Sequence, residues 1–512
     1  MPKSHYITEF GDFQTPHDTA AQICALLVRQ GMRPATILEP TCGQGNFLLA
    51  AAAQFHTARR ILGYEINPAY VIEAQQRAAK DPKFAKIEII QGDFFEQDWG
   101  QILAKLPQPT LVIGNPPWVT NAALGALDSH NLPEKSNFKS LAGLEARTGK
   151  SNFDISEWML IHLLTALSKT KGALAMLCKT SVARKVLHHT WKIQLPISNA
   201  RLYTIDAKAI FNAAVDACLF VCEVDAAKPM RPTCAIYSGW NTSSPQQTFG
   251  LAAERLIADL ASYTRWRHLE GTSPYQWRSG IKHDCVAVME LKATSTGFRN
   301  KAGAYHELED DYLYPMLKSS EIAKSHAPHP TRWMLVPQRF IGEATHPIRH
   351  NAPRTWDYLN HYAELLDKRK SSIYKGQPRF AVFGVGDYSF APWKIAISGL
   401  YKKIHFAIVA PFSGKPVVLD DTCYFLPCQN EDEANTLYTL LSSDIAQEFF
   451  NAFIFWDAKR PITIDILRRL DLHALSWEIH GRDVLQNYLP DAAFATPVQQ
   501  LALFEQGEFY EP

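Results

Sequence analysis

The 512-residue sequence lacks the apolar segments that mark membrane and secreted proteins. No apolar run approaches the roughly 18 residues that a membrane-spanning helix needs. The first residues, Met-Pro-Lys-Ser-His-Tyr, contain no apolar signal segment either. We therefore expect a cytoplasmic protein.

Neither sign of charge is in excess, and paired cysteines are missing. The chain has 52 Lys and Arg against 51 Asp and Glu, and this balance neither supports nor excludes a nucleic-acid partner. The nine cysteines include no Cys-x-x-Cys pair, so we expect buried, reduced thiols and no zinc site. With 46% hydrophobic residues, the chain can fill two ordinary cores. The sequence thus predicts two domains and no metal requirement.

An apolar strand that ends in Asn-Pro-Pro-Trp is the most informative feature of the chain. It runs from Leu111 to Trp118. The amino group of a base, or an amide nitrogen, is a poor nucleophile because its lone pair is delocalised. The side-chain oxygen of Asn115 and the carbonyl of Pro116 can accept its two N–H groups and favour a pyramidal nitrogen. Pro116 and Pro117 keep the loop rigid, and Trp118 offers a stacking face. A Pro-rich turn after a buried strand is the alternative interpretation.

Three other predicted strands end in residues that suit a nucleoside. Glu39–Gly45 forms a Gly-rich turn between a strand and a helix, and such a turn lets bare backbone approach a ligand. Glu65 ends the next strand, where dinucleotide-binding folds hold a ribose diol. Asp93 ends a third strand, where it can accept from an adenine amino group while Phe94 packs on the ring. Parallel strands would bring these ends together beside Asn115.

In this order, the motifs resemble those of gamma-class, Taq-type S-adenosylmethionine-dependent DNA N6-adenine methyltransferases. The resemblance covers residues 1–225. Phe13–Pro16 is similar to the N-terminal motif that closes over the methionine part of the cofactor. Ser151–Ile155 and Gly172–Thr180 resemble two further family motifs, one at a helix start and one on a strand. Phe211 resembles the aromatic residue that stacks on a flipped-out base.

The resemblance implies S-adenosyl-L-methionine as cofactor and an adenine of double-stranded DNA held between Trp118 and Phe211. It implies catalytic roles for Asn115, Pro116, Pro117 and Trp118. The cofactor contacts that it implies come from Thr15, Pro16, Glu39, Pro40, Thr41, Cys42, Gly43, Gly45, Glu65, Asp93, Phe94 and Asn115. Trp118 departs from the family pattern, because adenine enzymes more often carry Tyr or Phe there, and it leaves cytosine open as the target.

The order of predicted elements divides the chain into four parts. Strands alternate with helices up to residue 225, which predicts a Rossmann-like, doubly wound α/β methyltransferase domain in residues 1–225. Residues 226–274 begin with scattered Pro, Ser and Gly, and we interpret them as a linker and a connecting helix. Residues 275–475 predict a second, mixed α+β domain, followed by a C-terminal tail at 476–512.

Basic and aromatic residues alternate in part of the predicted second domain, between Leu365 and Lys403. Such a mixture suits a nucleic-acid groove, although strands with solvated edges would explain the same residues. The basic residues that we expect at DNA are Lys368, Arg369, Lys370, Lys375, Arg379 and Lys394. Tyr388–Lys394 and Phe455–Pro461 resemble target-recognition regions of Eco57-type adenine methyltransferases, which implies a DNA target-recognition domain.

The resemblance implies a site-specific DNA N6-adenine methyltransferase, the modification component of a bacterial restriction-modification or related defence system. Whether a separately encoded cognate restriction endonuclease is its partner stays open. So do four alternatives, namely a cytosine-N4 DNA methyltransferase, an RNA guanine-N2 methyltransferase, a protein glutamine methyltransferase and a non-catalytic DNA-binding specificity subunit. The RNA and protein enzymes share the Asn-Pro-Pro motif but have no obvious use for the second domain. Intact Glu65, Asp93 and Asn115 argue against a non-catalytic subunit.

Overall fold

The structure, a computed structural model, describes residues 13–119 and 154–488. The chain divides into two compact units, residues 1–260 and 261–512. Within the two described stretches, no helix is long and apolar enough to cross a membrane. All nine cysteines are free thiols and eight of them are buried, which confirms the prediction made from their spacing.

The first unit begins with alternating helices and strands and ends with strands alone. Its strands are β1 (Thr36–Glu39), β2 (Arg60–Glu65), β3 (Ile87–Gln91), β4 (Thr110–Gly114), β5 (Lys171–Lys179), β6 (Ile197–Ile205), β7 (Ala217–Asp225), β8 (Thr233–Tyr237), β9 (Gln247–Ala252) and β10 (Arg255–Ile257). Its helices are α1 (His17–Arg29), α2 (Asn46–Gln54), α3 (Pro68–Ala78), α4 (Trp99–Lys105), α5 (Ile155–Leu167), α6 (Thr180–Lys192) and α7 (Ala207–Phe211).

The ten strands form one sheet in the order β10-β9-β8-β6-β7-β5-β4-β1-β2-β3. Strands β3, β2, β1, β4 and β5 are parallel to one another, and β7 is antiparallel between β5 and β6. Both β1 and β4 are buried along their whole length, as strands covered by helices on both faces are. The predicted Rossmann-like methyltransferase sheet is therefore confirmed.

The chain order of the strands reverses between β1 and β4. In open α/β sheets, the loops after two such strands leave a crevice at the carboxyl end of the sheet. Helix α1 closes this side of the sheet with Ala20, Ile23, Cys24 and Leu27, which recur at helical spacing and are fully buried. The fold thus brings the turn after β1 and the Asn-Pro-Pro loop after β4 to the same edge.

The predicted linker is wrong in its position. Residues 233–257 form β8, β9 and β10, which extend the sheet beyond β6. The first compact unit accordingly reaches residue 260 instead of 225. These strands are short and mostly half-buried, with prolines only in their connections, so their sequence shows little of the apolar alternation by which strands are predicted.

The second unit contains two separate sheets and many short helices. Its strands are β11 (Arg278–Ser279), β12 (Glu290–Thr294), β13 (Gly297–Asn300), β14 (Tyr305–His306), β15 (Leu313–Leu317), β16 (Arg332–Leu335), β17 (Trp393–Ser398), β18 (Phe406–Val409), β19 (Val418–Leu419) and β20 (Cys423–Cys428). Its helices are α8 (Leu260–Trp266), α9 (Val286–Met289), α10 (Ser319–Ile322), α11 (Ile348–Asn351), α12 (Pro353–His361), α13 (Ala363–Asp367), α14 (Glu431–Leu441), α15 (Asp444–Asn451), α16 (Ile464–Leu467) and α17 (Leu472–His480).

One sheet of this unit has the order β11-β20-β17-β18 and the other β14-β13-β12-β16-β15-β19. All but the β15–β19 pair are antiparallel, which confirms the predicted mixed α+β class. The predicted boundary at residue 475 is wrong, because α17 continues through it to His480 and Leu485 is fully buried.

Candidate active site

The side chain of Asn115 is held by one end only. Its Nδ2 atom donates to the carbonyl of Phe13, 2.8 Å away, and this bond fixes which end of the amide is nitrogen. Its Oδ1 atom is buried and has no hydrogen-bond partner in the described parts of the chain. A buried acceptor without a partner is costly. The arrangement therefore leaves an amide oxygen available to an amino group that enters the site.

The residues after Asn115 are tied to neighbouring elements. Trp118 is buried and donates from Nε1 to the carbonyl of Leu177, 3.4 Å away. The Val119 carbonyl accepts from the Ile155 backbone N–H at 3.0 Å, at the start of α5. The Asn-Pro-Pro-Trp loop is thus fixed on both sides.

Helix α5 itself begins with a hydrogen-bonded cap. Asp154 accepts from the backbone N–H of Ser156 and forms an ion pair with Lys179 at 2.5 Å. Lys179 ends β5, the strand predicted from Gly172–Thr180. Of the predicted motif Ser151–Ile155, residues 151–153 lie outside the described part of the chain.

Trp118 and Phe211 are neighbours, but they do not form an open sandwich. Their ring centroids lie 5.2 Å apart with the planes at 72°, so an edge of one ring meets the face of the other. Phe13 packs against both rings, at 5.7 Å and 6.2 Å. Rings in direct contact leave no gap for a base in this structure, so the sandwich around a target base stays a prediction.

The Gly-rich turn is organised by a carboxylate. Glu65, at the end of β2, accepts from the backbone N–H of Gly43 at 2.8 Å and from that of Asn67 at 2.9 Å. Gly43 and Gly45 have positive φ angles of 49° and 80°, which side chains rarely adopt. A Cβ atom on Gly43 would lie 2.5 Å from Oε1 of Gln14. The positive φ angle thus favours glycine at position 43, and a side chain there would also displace the Gln14 side chain.

The segment Phe13–Thr15, which we call the strap, is joined to this turn. The Gln44 N–H donates to the Gln14 side chain at 3.3 Å, and Asn46 Nδ2 donates to the Thr15 carbonyl at 2.8 Å. Arg77 of α3 supports both bonds, donating to the Gln44 carbonyl and to Asn46 Oδ1 at 2.7 Å each. Roles for Asn46 and Arg77 could not be predicted from the sequence, because the bonds that give them a role connect segments distant in sequence.

A cavity of about 580 Å³ lies between these elements. Its wall includes most of the predicted cofactor residues, namely Thr15, Glu39, Pro40, Thr41, Cys42, Gly43, Glu65, Asp93, Phe94 and Asn115. The predicted residues Pro16, Gly45, Pro116, Trp118 and Phe211 are not part of the wall. Residues that were not predicted also contribute, among them Ile66, Tyr70 and Phe95. The volume is that of a site for a small organic ligand.

Glu39 gives the cavity an unusual electrostatic character. It is 3% exposed, and its Oε2 atom has no hydrogen-bond partner within the described chain. Burial, and secondarily the charge of Glu65, raises the pKa of Glu39 well above its ordinary value. The hydroxyls of Thr15 and Thr41 are likewise buried without partners among the described residues. The cavity therefore offers several oxygens to a ligand that carries hydrogen-bond donors or positive charge.

Comparison with known proteins assigns the family. Residues 4–189 match the model of the family described as N-6 DNA Methylase. The chain is 46% identical over 471 residues to the Type II methyltransferase M.NspV of Nostoc sp. (strain ATCC 29411 / PCC 7524). The aligned region covers 91% of this chain and 97% of the relative. The chain belongs to the N-6 DNA methylase family. Its reaction is therefore methyl transfer to the N6 amino group of adenine in DNA.

Two solved structures show how similar known folds are to this methylase. The Type IIL restriction-modification enzyme MmeI in complex with DNA is 12% identical, with a TM-score of 0.49. The match covers 89% of this chain and 64% of that longer chain. The M protein of the Type I restriction enzyme EcoKI is 15% identical, with a TM-score of 0.31, and the match covers 44% of this chain and 48% of that chain.

The cavity of the methylase fits S-adenosylmethionine, the methyl donor of this family. The cofactor carries an ammonium group, a sulfonium and a ribose diol, all of which seek acceptors or negative charge. The buried oxygens of Thr15, Glu39 and Thr41 and the carboxylate of Glu65 provide them. Ile66 and Phe94 supply apolar wall beside Asp93 for an adenine ring. No group of three His, Cys, Asp or Glu side chains that could hold a metal ion occurs in residues 13–119 and 154–488.

Two of the basic residues predicted at DNA have structural roles in the second unit. Lys394 is 0% exposed and donates from Nζ to the Ala391 carbonyl at 2.5 Å, so its prediction as a DNA contact is wrong. Arg369 is half-buried and donates to the carbonyls of Leu366, His283 and Ala381. Alternation of basic and aromatic residues along a chain does not show which side chains face the interior.

The remaining predicted DNA residues lie at the surface. Arg379 pairs with Asp367 at 2.7 Å and Lys368 with Glu364 at 3.6 Å. Lys370 and Lys375 are exposed. The four stay predictions as DNA contacts.

Proposed function

We propose that this chain methylates adenine in double-stranded DNA by presenting Asn115 and the Pro116 carbonyl as acceptors to the target amino group. Support comes from one observation above all, the buried Oδ1 atom of Asn115 with no partner among the described residues. The bond from Nδ2 to the Phe13 carbonyl keeps this oxygen in place. An amino group that donates to it is positioned, and its nitrogen is favoured in the pyramidal form that reacts.

The lining of the cavity supports a proposal for how the cofactor is held. Glu65 and the backbone of Gly43 would hold the ribose, Asp93 and Phe94 the adenine, and Glu39 and Thr15 the methionine part. S-adenosylmethionine, when bound, supplies an electrophilic methyl group. The strap fixes the orientation of Asn115 and also contacts the Gly-rich turn, so the same segment connects the cofactor site with the catalytic side chain.

We further propose that the target adenine leaves the duplex to reach this site, because its amino group is not accessible to such a pocket within a base-paired stack. Trp118 and Phe211 would then have to separate to admit the base between them. Both rings are buried in their present edge contact, so separating them would expose two aromatic faces to the base.

The decisive test compares two substitutions of Asn115. Asn115→Ala removes the acceptor, and we expect turnover to fall by about 10²–10³-fold or more. Asn115→Asp keeps an acceptor oxygen but loses the donor to Phe13 and faces that carbonyl with charge, so it is also expected to be impaired. Affinities for DNA and cofactor should change little in the alanine variant. Asn241→Ala, on the exposed surface of the same unit, is the control. Near-normal turnover of Asn115→Ala would refute the assignment.

The setting of the reaction is also a proposal. The relative's designation as a Type II methyltransferase supports a role in modifying host DNA in the bacterial cytoplasm, with a separately encoded endonuclease that cleaves the same sequence when it is unmodified. Plasmid DNA methylated by this protein should resist cleavage by that endonuclease, whereas plasmid from a host carrying Asn115→Ala should be cut.

A further inference from the structure

A loop of the second unit presents an aromatic side chain to solvent from a fixed base. The loop spans residues 336–347, between β16 and α11. Phe340 at its tip is 54% exposed, while the next residue, Ile341, packs against the core of the unit. A single exposed phenyl ring is ordinary on a protein surface. What distinguishes Phe340 is how firmly the backbone on both sides is held.

Buried polar side chains pin both sides of the loop. Gln338 is 2% exposed, accepts from the Val382 N–H at 2.9 Å and donates to the Glu343 carbonyl at 2.5 Å. Thr345 is 4% exposed and donates to the Arg379 carbonyl at 2.6 Å. These bonds fix the backbone at two points that flank the tip. Phe340 is therefore held outward by the fold and is not simply left on a loose segment.

Arg339, the residue before Phe340, has its side chain in contact with an aromatic ring. The centre of its guanidinium lies 4.2 Å from the centroid of the Phe390 ring. Its backbone N–H donates to the Glu343 carboxylate. An arginine stacked on a ring loses little further freedom when its N–H groups bind a base edge or a phosphate.

The charge of the loop suits a polyanion. Glu343 is the one acidic residue between positions 336 and 351, and its carboxylate is engaged by the Arg339 backbone. Arg339 and Arg349 are exposed, and two histidines, His346 and His350, are exposed near them. A ring beside arginine donors on a positively charged edge is the combination with which proteins stack on bases and hold phosphates.

We propose that Arg339 and Phe340 form a DNA-contacting tip that engages the recognised sequence, with Phe340 packing on bases and Arg339 donating to a base edge. This inference rests on the proposed function, since it takes duplex DNA as the substrate. It adds a specificity contact that the basic residues expected from the sequence do not include.

The test measures binding and methylation with Phe340→Ala, Arg339→Lys and a control, Trp477→Ala. Trp477 is 59% exposed in the same unit, so its substitution removes a comparable exposed ring. The probes are a duplex that contains the motif found methylated in plasmid DNA by the unaltered protein, and the same duplex with the motif scrambled. We expect Phe340→Ala to weaken binding of the motif duplex about tenfold or more, with little change for the scrambled duplex. Arg339→Lys should also weaken motif binding, because it keeps the charge and loses the planar donor pair.

Melting temperature and cofactor affinity should stay unchanged in all three variants, and Trp477→Ala should bind both duplexes normally. Equal motif affinity for Phe340→Ala and the unaltered protein would overturn the inference. So would a change of oligomeric state in Phe340→Ala with normal DNA affinity, because the tip would then be a protein-binding surface. If the unaltered protein itself methylates no DNA, the proposed function fails, and this outcome is distinct from failure of the tip.

Discussion

Lys394 gives the sharpest test of how the second unit is stabilised. Its amino group is fully buried, with the Ala391 carbonyl at 2.5 Å and the Phe425 ring centroid at 5.9 Å. Burial lowers the pKa of Lys394 from 10.5 to about 7. A difference of this size corresponds to at most about 5 kcal/mol against the ammonium form in the folded protein. Lys394→Met should therefore stabilise the fold, and most strongly at low pH.

The lowered pKa of Lys394 determines the direction in which the stability of the fold changes with pH. Between about pH 7 and 10.5 the unfolded chain binds a proton at this lysine that the folded protein does not, so the stability of the unaltered protein rises with pH across that window. The advantage of Lys394→Met should thus shrink by about 3 kcal/mol from pH 6 to pH 9. For a unit of this size, that is a change of about 6–12 °C in the melting-temperature difference.

Thermal denaturation of the full chain at pH 6 and pH 9 measures this change in the melting-temperature difference, with the exposed Lys301→Met as control. DNA affinity should be unaffected by Lys394→Met. A gain in melting temperature that is equal at pH 6 and pH 9, or a loss of DNA binding, would refute this reasoning.

Two further predictions concern the cofactor site. Glu39→Gln should raise the melting temperature of the cofactor-free protein more at pH 8 than at pH 5, because burial and Glu65 raise the pKa of Glu39 and the unaltered fold therefore loses stability as pH rises above about 4.3. Equal stability gains at pH 5 and pH 8 would contradict the raised pKa of Glu39. The same variant should bind S-adenosylmethionine about tenfold more weakly by calorimetry, since glutamine cannot carry a negative charge to pair with the cationic cofactor. Arg77→Met should raise KM for the cofactor about tenfold with kcat nearly unchanged, because it removes two bonds that hold the Gly-rich turn and, through Asn46, the strap. Arg77→Lys should restore part of the loss, and a fall in kcat alone would contradict a positioning role.

The cofactor side of the site was largely predictable from sequence because its residues sit at strand ends. Glu39, Glu65 and Asn115 each end or directly follow a buried strand, and the parallel sheet brings such ends together. The connections from β1 to α2 and from β2 to α3 are short, so they leave little freedom in where the side chains of Glu39 and Glu65 lie. Because each motif follows a strand of the parallel sheet, the order of the motifs along the chain also indicates the fold.

The parts that sequence reasoning missed depend on contacts between distant segments. Nothing around Arg77 shows that it reaches Gln44 and Asn46, and nothing around Phe13 shows that its carbonyl orients Asn115. The strands between residues 233 and 257 were missed because the pairing of β8 with β6 and of these strands with one another, and not their own apolar pattern, makes them strands. Lys394 was misassigned because a lysine in a strand is usually exposed, and its burial is set by neighbouring strands.

The most direct measurement for the central claim is nucleoside mass spectrometry of duplex DNA incubated with the protein and S-adenosylmethionine that carries a deuterated methyl group. We expect labelled N6-methyladenine with the unaltered protein and essentially none with Asn115→Ala, although both proteins bind the cofactor and the DNA. Labelled N4-methylcytosine, or labelled N6-methyladenine at near-normal levels with Asn115→Ala, would contradict this expectation.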